Sequence, residues 1–313
     1  MMRNRALSPI LVDFDSFPRP LNWPEIFGRP GKIVVEIGFG MGEVLIREAG
    51  KDPQVNFIGI EEHWTRITRT MTGISRQQGV VGGLDNIRIL KLDAWVAFER
   101  LFSPQSIDHI FCLFPCPWPK EKHEKHRLFS QKFLRLVNSR LKTGAALRIV
   151  TDFRPFYDWV LSQNVDAGFA SAVTATLEPQ FNTKFEKKWA AQGQEKFFEI
   201  ILEKQKHIEV PVEEDKELKV YKLKNFDHKK FVFQDHIGEV TVILKGFFYD
   251  AEQEKALVQL LVAEEQITQY FWAMIGKRKN DWFLQKVEGQ RFFATPGITL
   301  ALDLVYQAVE KIA

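Results

Sequence analysis

Three glycines at alternate positions follow a carboxylate in the run Glu36-Ile-Gly38-Phe-Gly40-Met-Gly42, directly after the short apolar stretch Ile33–Ile37. Such glycines let backbone N–H groups approach a ligand closely, and the helix expected after them would face that ligand with its N-terminus. A dinucleotide fingerprint would put its third glycine at position 43, and that residue is Glu43. A pyrophosphate over the first helical turn would meet this carboxylate, whereas a cationic sulfonium would not be repelled. Further residues able to do chemistry stand at the ends of similar apolar runs: Glu61, Asp93, Asp152, and Cys116 within Phe114-Pro-Cys116-Pro-Trp118-Pro-Lys120. The closely spaced prolines forbid regular structure and hold Trp118 on a rigid loop. Lys120, Lys122, His123, Lys125, His126 and Arg127 come after it, a combination suited to gripping a stacked base and its phosphates. A cysteine between prolines also admits a second chemistry, covalent addition of a thiolate to a pyrimidine ring before methylation at C5. His123 and His126 lack further ligands at metal-site spacing, so no metal is expected.

These residues need a frame, and the apolar pattern supplies one. Ile33–Ile37, Val55–Ile60, Ile87–Leu92, Ile107–Leu113 and Ala145–Val150 are strand candidates, separated by helical spacing in Glu43–Ala49, Trp64–Gln77 and Gln131–Leu141. Strands alternating with helices predict an α/β fold with a parallel sheet covered on both faces. Ligands bind such sheets outside the carboxyl ends of the strands, where four of the five runs end in a carboxylate. Phe153, Phe156, Tyr157 and Trp159 follow Asp152 at nearly helical spacing and are expected to pack their helix on the sheet. Residues 1–31 hold five of the 14 prolines and predict an extended N-terminal arm. After Lys206 the character changes. Strand-like Lys229–Gln234 and Glu239–Phe248 precede a helical run Glu252–Glu265. A hairpin is expected around Gly276-Lys-Arg-Lys-Asn-Asp, and a final helix from Thr295-Pro296. The predicted organisation is an arm over 1–31, an α/β domain over 32–207 and a small α+β domain over 208–313.

With 313 residues, 45% hydrophobic and 27% charged, the composition is that of a globular chain and excludes collagen, coiled coil and wholesale disorder. Two cysteines exclude a disulfide framework and point to a reducing, cytoplasmic compartment. No apolar run approaches the ~18 residues of a membrane helix. The net charge of +3 hides an asymmetry: residues 208–313 carry 14 Lys/Arg against 17 Asp/Glu, leaving 29 against 23 to residues 1–207. The basic excess lies with the chemistry-bearing residues, where phosphate contacts would make nucleic-acid affinity fall with salt.

The loop Glu36 to Gly42 is similar to the S-adenosylmethionine loop of Rossmann-like methyltransferases, which have a doubly wound, mostly parallel sheet. More specifically, the chain resembles the tRNA guanine-N7 methyltransferases over residues 32 to about 204. The resemblance is carried by that loop, Phe57-Ile-Gly-Ile-Glu61-Glu-His63, the Phe114-to-Lys120 run with its basic tail, Thr151-Asp152, and Thr183-Lys184-Phe185-Glu186. It implies S-adenosylmethionine as methyl donor and a guanine of tRNA, guanine 46 of the variable loop, as target. Glu36, Gly38, Gly40, Gly42, Glu61 and Asp93 would bind the donor, with Glu61 at the ribose and Asp93 near the adenine. Trp118, Lys120, Lys122, Arg127, Asp152, Thr183, Lys184, Phe185 and Glu186 would bind the substrate, with Asp152 and Glu186 holding the guanine. The candidate catalytic residues are Asp152 and Cys116, the latter standing where the family usually has aspartate. Guanine N7 offers an in-plane lone pair and no proton to remove, so this chemistry needs alignment and charge stabilisation rather than a general base. Loss of the usual aspartate also admits a third reading, a non-catalytic RNA-binding relative.

Overall fold

The computed structural model of the chain describes residues 10–77, 84–170, 173–178, 180–191, 193 and 196–311. The chain divides into two compact units, Met1–Glu213 and Glu214–Ala313. The first is built on β1 (Ile33–Ile37), β2 (Asn56–Glu61), β3 (Ile87–Lys91), β4 (Ile107–Leu113), β5 (Leu141–Thr151), β6 (Val173–Leu177) and β7 (Phe197–Glu203). They lie in the order β3-β2-β1-β4-β5-β7-β6. Strands β1 to β5 run parallel to one another, and β7 runs antiparallel to both β5 and β6. Val35, Ile58, Ile89, Ile110 and Ile149 are completely buried, as expected of strands covered on both faces. Strand order reverses between β1 and β4, and that switch opens a crevice at the strands' carboxyl ends.

Helices α1 (Trp23–Phe27), α2 (Glu43–Lys51), α3 (Trp64–Gln77), α4 (Ala94–Arg100), α5 (Gln131–Arg140), α6 (Arg154–Gln163) and α7 (Lys184–Ala190) complete this unit. Side chains satisfy N–H groups left over at helix starts: Asp93 accepts from Val96 N at 3.2 Å and Ser130 from Phe133 N at 3.4 Å. The N-terminal region departs from the expected extended arm. Leu11 bridges to Ile89 beside β3, Phe14–Ser16 makes a 3-10 turn, and Trp23 of α1 stacks on Phe102. Apolar Ile10, Leu21 and Trp23, all buried, offset the missing backbone donors of the prolines.

The chain leaves this unit under tight constraint. Arg140, completely buried, donates to the carbonyls of Phe98 (2.7 Å), Glu99 (3.3 Å), Val210 (2.6 Å) and Pro211 (3.0 Å), and to the Ser139 hydroxyl (2.9 Å). Lys204 Nζ donates to the carbonyls of Asn138 and Leu141 at 2.7 and 2.6 Å.

The second unit comprises β8 (Tyr221–Leu223), β9 (Thr241–Asp250), β10 (Lys255–Ala263), β11 (Thr268–Arg278), β12 (Asp281–Lys286) and α8 (Pro296–Glu310). Its strands form an antiparallel sheet in the order β8-β12-β11-β10-β9. Ile298, Leu302 and Val305 of α8 pack on Val258, Leu260, Phe271 and Ile275. The hairpin and final helix lie where expected, with Thr295 capping α8 through Ile298 N. The expected helix over Glu252–Glu265 is instead strand β10. Ala256, Val258, Leu260 and Val262 alternate into the core, while Leu257 and Leu261 point outward, and apolar residues on both faces blur the two-residue period. Lys229–Gln234 forms no strand.

Candidate active site

The crevice is lined by the ends of adjacent strands. Glu36 near the end of β1 opens the glycine loop, in which Gly38, Gly40 and Gly42 have φ of 68°, 58° and 73°. These left-handed angles favour glycine. At Gly42 there is also no room for a side chain, since a Cβ would lie 2.3 Å from Thr70 Cγ2. A Cβ at Gly38 would meet nothing within 4 Å, so the loop borders open space. Gly38 N donates to Ile60 O at 2.8 Å and Gly40 N to Glu61 Oε2 at 3.2 Å. Glu61 Oε1 also accepts from Glu62 N and His63 N, each at 3.0 Å, and Arg66 lies 3.3 Å from Oε2. The Glu61 carboxylate therefore ties the glycine loop to the start of α3.

Glu36 is 3% exposed and its Oε2 has no hydrogen-bond partner. Burial pushes its carboxyl from 4.5 up to about 8, against the opposing pull of Arg47. An unpaired buried polar atom is destabilising on its own, and here it borders a glycine cradle. Burial also raises the carboxyls of Asp93 and Asp152. Asp93 caps α4, and Asp152 is half-buried just beyond β5.

Beyond β4, Phe114 and Trp118 take left-handed φ of 56° and 44°, which strains non-glycine residues. Phe114 turns inward, its ring 4.9 Å from Trp189, 5.1 Å from Phe197 and 6.0 Å from Phe181. Trp118 is partly exposed and packs on His123 and His126 at 5.7 and 5.1 Å. Cys116, Lys120 and Lys122 are exposed, whereas Cys112 is buried and its thiol pushed up by burial. No group of three metal-ligating side chains occurs among the described residues.

Two sequence expectations change here. Arg127 was expected to contact substrate, yet it is buried and holds the loop from below. It donates to Pro117 O at 2.9 Å, Trp118 O at 3.3 Å and Glu124 Oε1 at 2.8 Å, and lies over the Trp159 ring at 5.3 Å. Glu186 was expected to hold a guanine, yet it is 2% exposed and its carboxylate accepts from Gln180 N and Phe181 N at 2.9 Å and from Thr183 N at 3.2 Å. Thr183 Oγ1 accepts from Glu186 N at 3.2 Å, completing a capping box on α7. The Lys184 side chain is exposed, and that of Phe185 lies outside the described residues.

Sequence reasoning missed the residues that bring this segment to the glycine loop. On α2, Glu43 Oε2 accepts from Lys184 N at 3.0 Å and Arg47 donates to Phe181 O at 2.6 Å. Glu43 had registered only as an obstacle to pyrophosphate, and its tie spans 141 positions, beyond any local pattern.

Residues 30–199 match the family model described as "Putative methyltransferase". A tRNA (guanine-N(7)-)-methyltransferase of Chlorobium phaeobacteroides is 44% identical over 188 residues, covering 60% of this chain and 89% of that protein. One of Thermotoga maritima is 30% identical over 306 residues, covering 92% of each. Among solved structures, the 16S rRNA methyltransferase KamB is similar over 59% of this chain and 93% of its own, at 16% identity and a TM-score of 0.47.

Proposed function

The chain belongs to the tRNA (guanine-N7)-methyltransferase family, and from that premise we propose that it methylates N7 of guanine 46 in the variable loop of tRNA, with S-adenosylmethionine as donor. The observation that carries this is that β1 and β4 are adjacent parallel strands, so the glycine loop, with Glu36 Oε2 unpaired beside it, and the proline-bound Trp118 loop leave the same edge of the sheet. The cradle suits the donor. Gly38 and Gly40 leave room beside their backbone, Glu61 and Asp93 provide acceptors for hydroxyl and amino groups and a negative setting for a cation, and the buried Glu36 carboxyl, protonated at neutral pH before the donor binds, offers its unpaired Oε2. When bound, the donor supplies an electrophilic methyl on a cationic sulfur.

The chain's own residues then position the nucleophile. Trp118 offers a ring for stacking, and Lys120 and Lys122 reach phosphates. Asp152 accepts from guanine N1–H and the exocyclic amino group, and its carboxylate favours the positive charge that the purine gains. No proton leaves N7, so neither Asp152 nor Cys116 acts as a base. Glu186, Thr183, Glu43 and Arg47 are positioning residues that hold the 180–186 segment against α2. Incubation with a labelled methyl donor and unmodified tRNA, followed by nucleoside analysis, tests the reading. The expected product is 7-methylguanosine, absent when guanine 46 is replaced; any other methylated nucleoside refutes the assignment.

A further inference from the structure

We propose that Glu36 meets the methyl donor by losing a proton: its carboxyl, neutral beforehand, ionises as the cationic ligand arrives and releases one proton to solvent. The inference rests on the donor reading above. Of the three acids assigned to the donor, two are already engaged. Glu61 accepts from the N–H groups of Gly40, Glu62 and His63 and lies against Arg66, and Asp93 accepts from Val96 N. Glu36 differs. Among the described residues its Oε2 is the one buried carboxyl oxygen that no hydrogen bond reaches. A buried anion is costly unless it is paired, so the carboxyl keeps its proton until a partner arrives.

The groups packed around Glu36 bring no cation to that oxygen. By register its neighbours are Gly59 on β2 and Phe111 on β4, neither of which titrates. Burial raises the carboxyl from 4.5 to about 8, outweighing the charge of Arg47 and the Leu45 N–H, which favour the carboxylate, while Glu48 opposes it. The Arg47 guanidinium is held elsewhere on α2, with Nε 3.1 Å from Glu48 Oε1 and a terminal nitrogen 2.6 Å from Phe181 O. On β4, burial and then Glu36 push the Cys112 thiol up, so it adds no charge. A cation within ~4–6 Å favours an ionised carboxyl by about one to three powers of ten. The donor carries two, its sulfonium and its α-ammonium. The Glu36 O–H bond therefore breaks on binding, the proton goes to solvent and the carboxylate stays beside the ligand. Below pH 8 that proton has to leave, so donor affinity falls as pH falls.

The test is isothermal titration of the full chain with S-adenosylmethionine in buffers of different ionisation enthalpy. At pH 7 it should count about 0.8 proton released per donor bound, and Kd should be about five- to tenfold weaker at pH 6 than at pH 7. Over that range the donor's α-ammonium stays charged. Glu36→Gln should bind with no proton released and with a level Kd, its melting temperature serving as the folding control. Asp93→Asn and Asp152→Asn remove carboxyls that burial also raises, and both should keep the release. A release that survives in folded Glu36→Gln overturns the proposal. So does one that vanishes in an asparagine variant that still binds donor, which decides the matter even where the glutamine variant fails to fold. Donor bound by wild type without proton release overturns the exchange and leaves the donor reading intact, whereas wild type that binds no donor defeats that reading itself.

Discussion

Replacing Arg127 with methionine removes the underside of the Trp118 loop by changing a side chain that is itself buried. The guanidinium makes two charge-assisted bonds to backbone carbonyls, Pro117 O and Trp118 O, each contributing about 1.5–3 kcal/mol. Its stacking on Trp159 at 5.3 Å adds about 1 kcal/mol. The Glu124 bond is partly solvent-screened and contributes at most ~1 kcal/mol. Against this, Phe114 and Trp118 hold left-handed backbone angles that cost about 1–2 kcal/mol each, so the loop has reason to relax once released. Arg127→Met should therefore lose about 3–5 kcal/mol locally. Where that loss is transmitted to the whole unit, the melting temperature falls by ~6–15 °C. Where the loop merely detaches, the fall is smaller and the KM for tRNA rises about tenfold as the Trp118 stack is lost. Donor affinity should stay within about twofold in both cases, because the glycine loop is held independently by Glu61. Differential scanning fluorimetry, steady-state kinetics with varied tRNA and titration with the donor read these quantities. Arg127→Lys should resemble the methionine variant, since an ammonium cannot reproduce the fork. A methionine variant with unaltered melting temperature and tRNA KM would refute the reasoning.

Three further outcomes are expected. Because Glu36 titrates near 8 when folded and near 4.5 when unconstrained, the folded chain keeps a proton that the unfolded chain releases between those values. Its contribution is present below about pH 4.5 and lost as pH rises through 8, on the order of several kcal/mol. Glu36→Gln should flatten the pH 5 to pH 8 stability difference seen by urea denaturation, and an identical difference in both proteins would count against the buried carboxyl. The pair Glu43→Gln/Arg47→Met should lower kcat/KM about three- to tenfold through loss of hold on the 181–184 segment, with melting changed by less than ~3 °C; wild-type kinetics would show that the tie has no functional role. Cys116→Ser should keep methyl transfer within about threefold and form the same nucleoside, whereas complete loss of activity would favour covalent catalysis.

The five parallel strands were legible because each is buried on both faces and bounded by glycine, proline or a carboxylate. Strand β10 was not, since Leu257 and Leu261 break the alternation that its inward residues keep. Within the candidate site, the tight turn of Gly38, Gly40 and Gly42 after Glu36 could be read from local order, where spacing and backbone angle coincide. Glu186 was misread, although Thr183-x-x-Glu186 carries the signature of a capping box; that pattern states where a helix begins and thereby where the carboxylate is spent. Arg127 offered no such sign. In a run of alternating charges, only the inward turn of the Pro117 and Trp118 carbonyls distinguishes it from its solvated neighbours.

The bonds from Arg140 to the Val210 and Pro211 carbonyls bear on what anchors the exit from the first unit. They lie just before the boundary at Glu214, and they pair the Val210 and Pro211 carbonyls from within the first unit. The pairing of those two carbonyls calls on no residue after Glu213, so the thread that leads out of the methyltransferase unit is anchored by that unit alone.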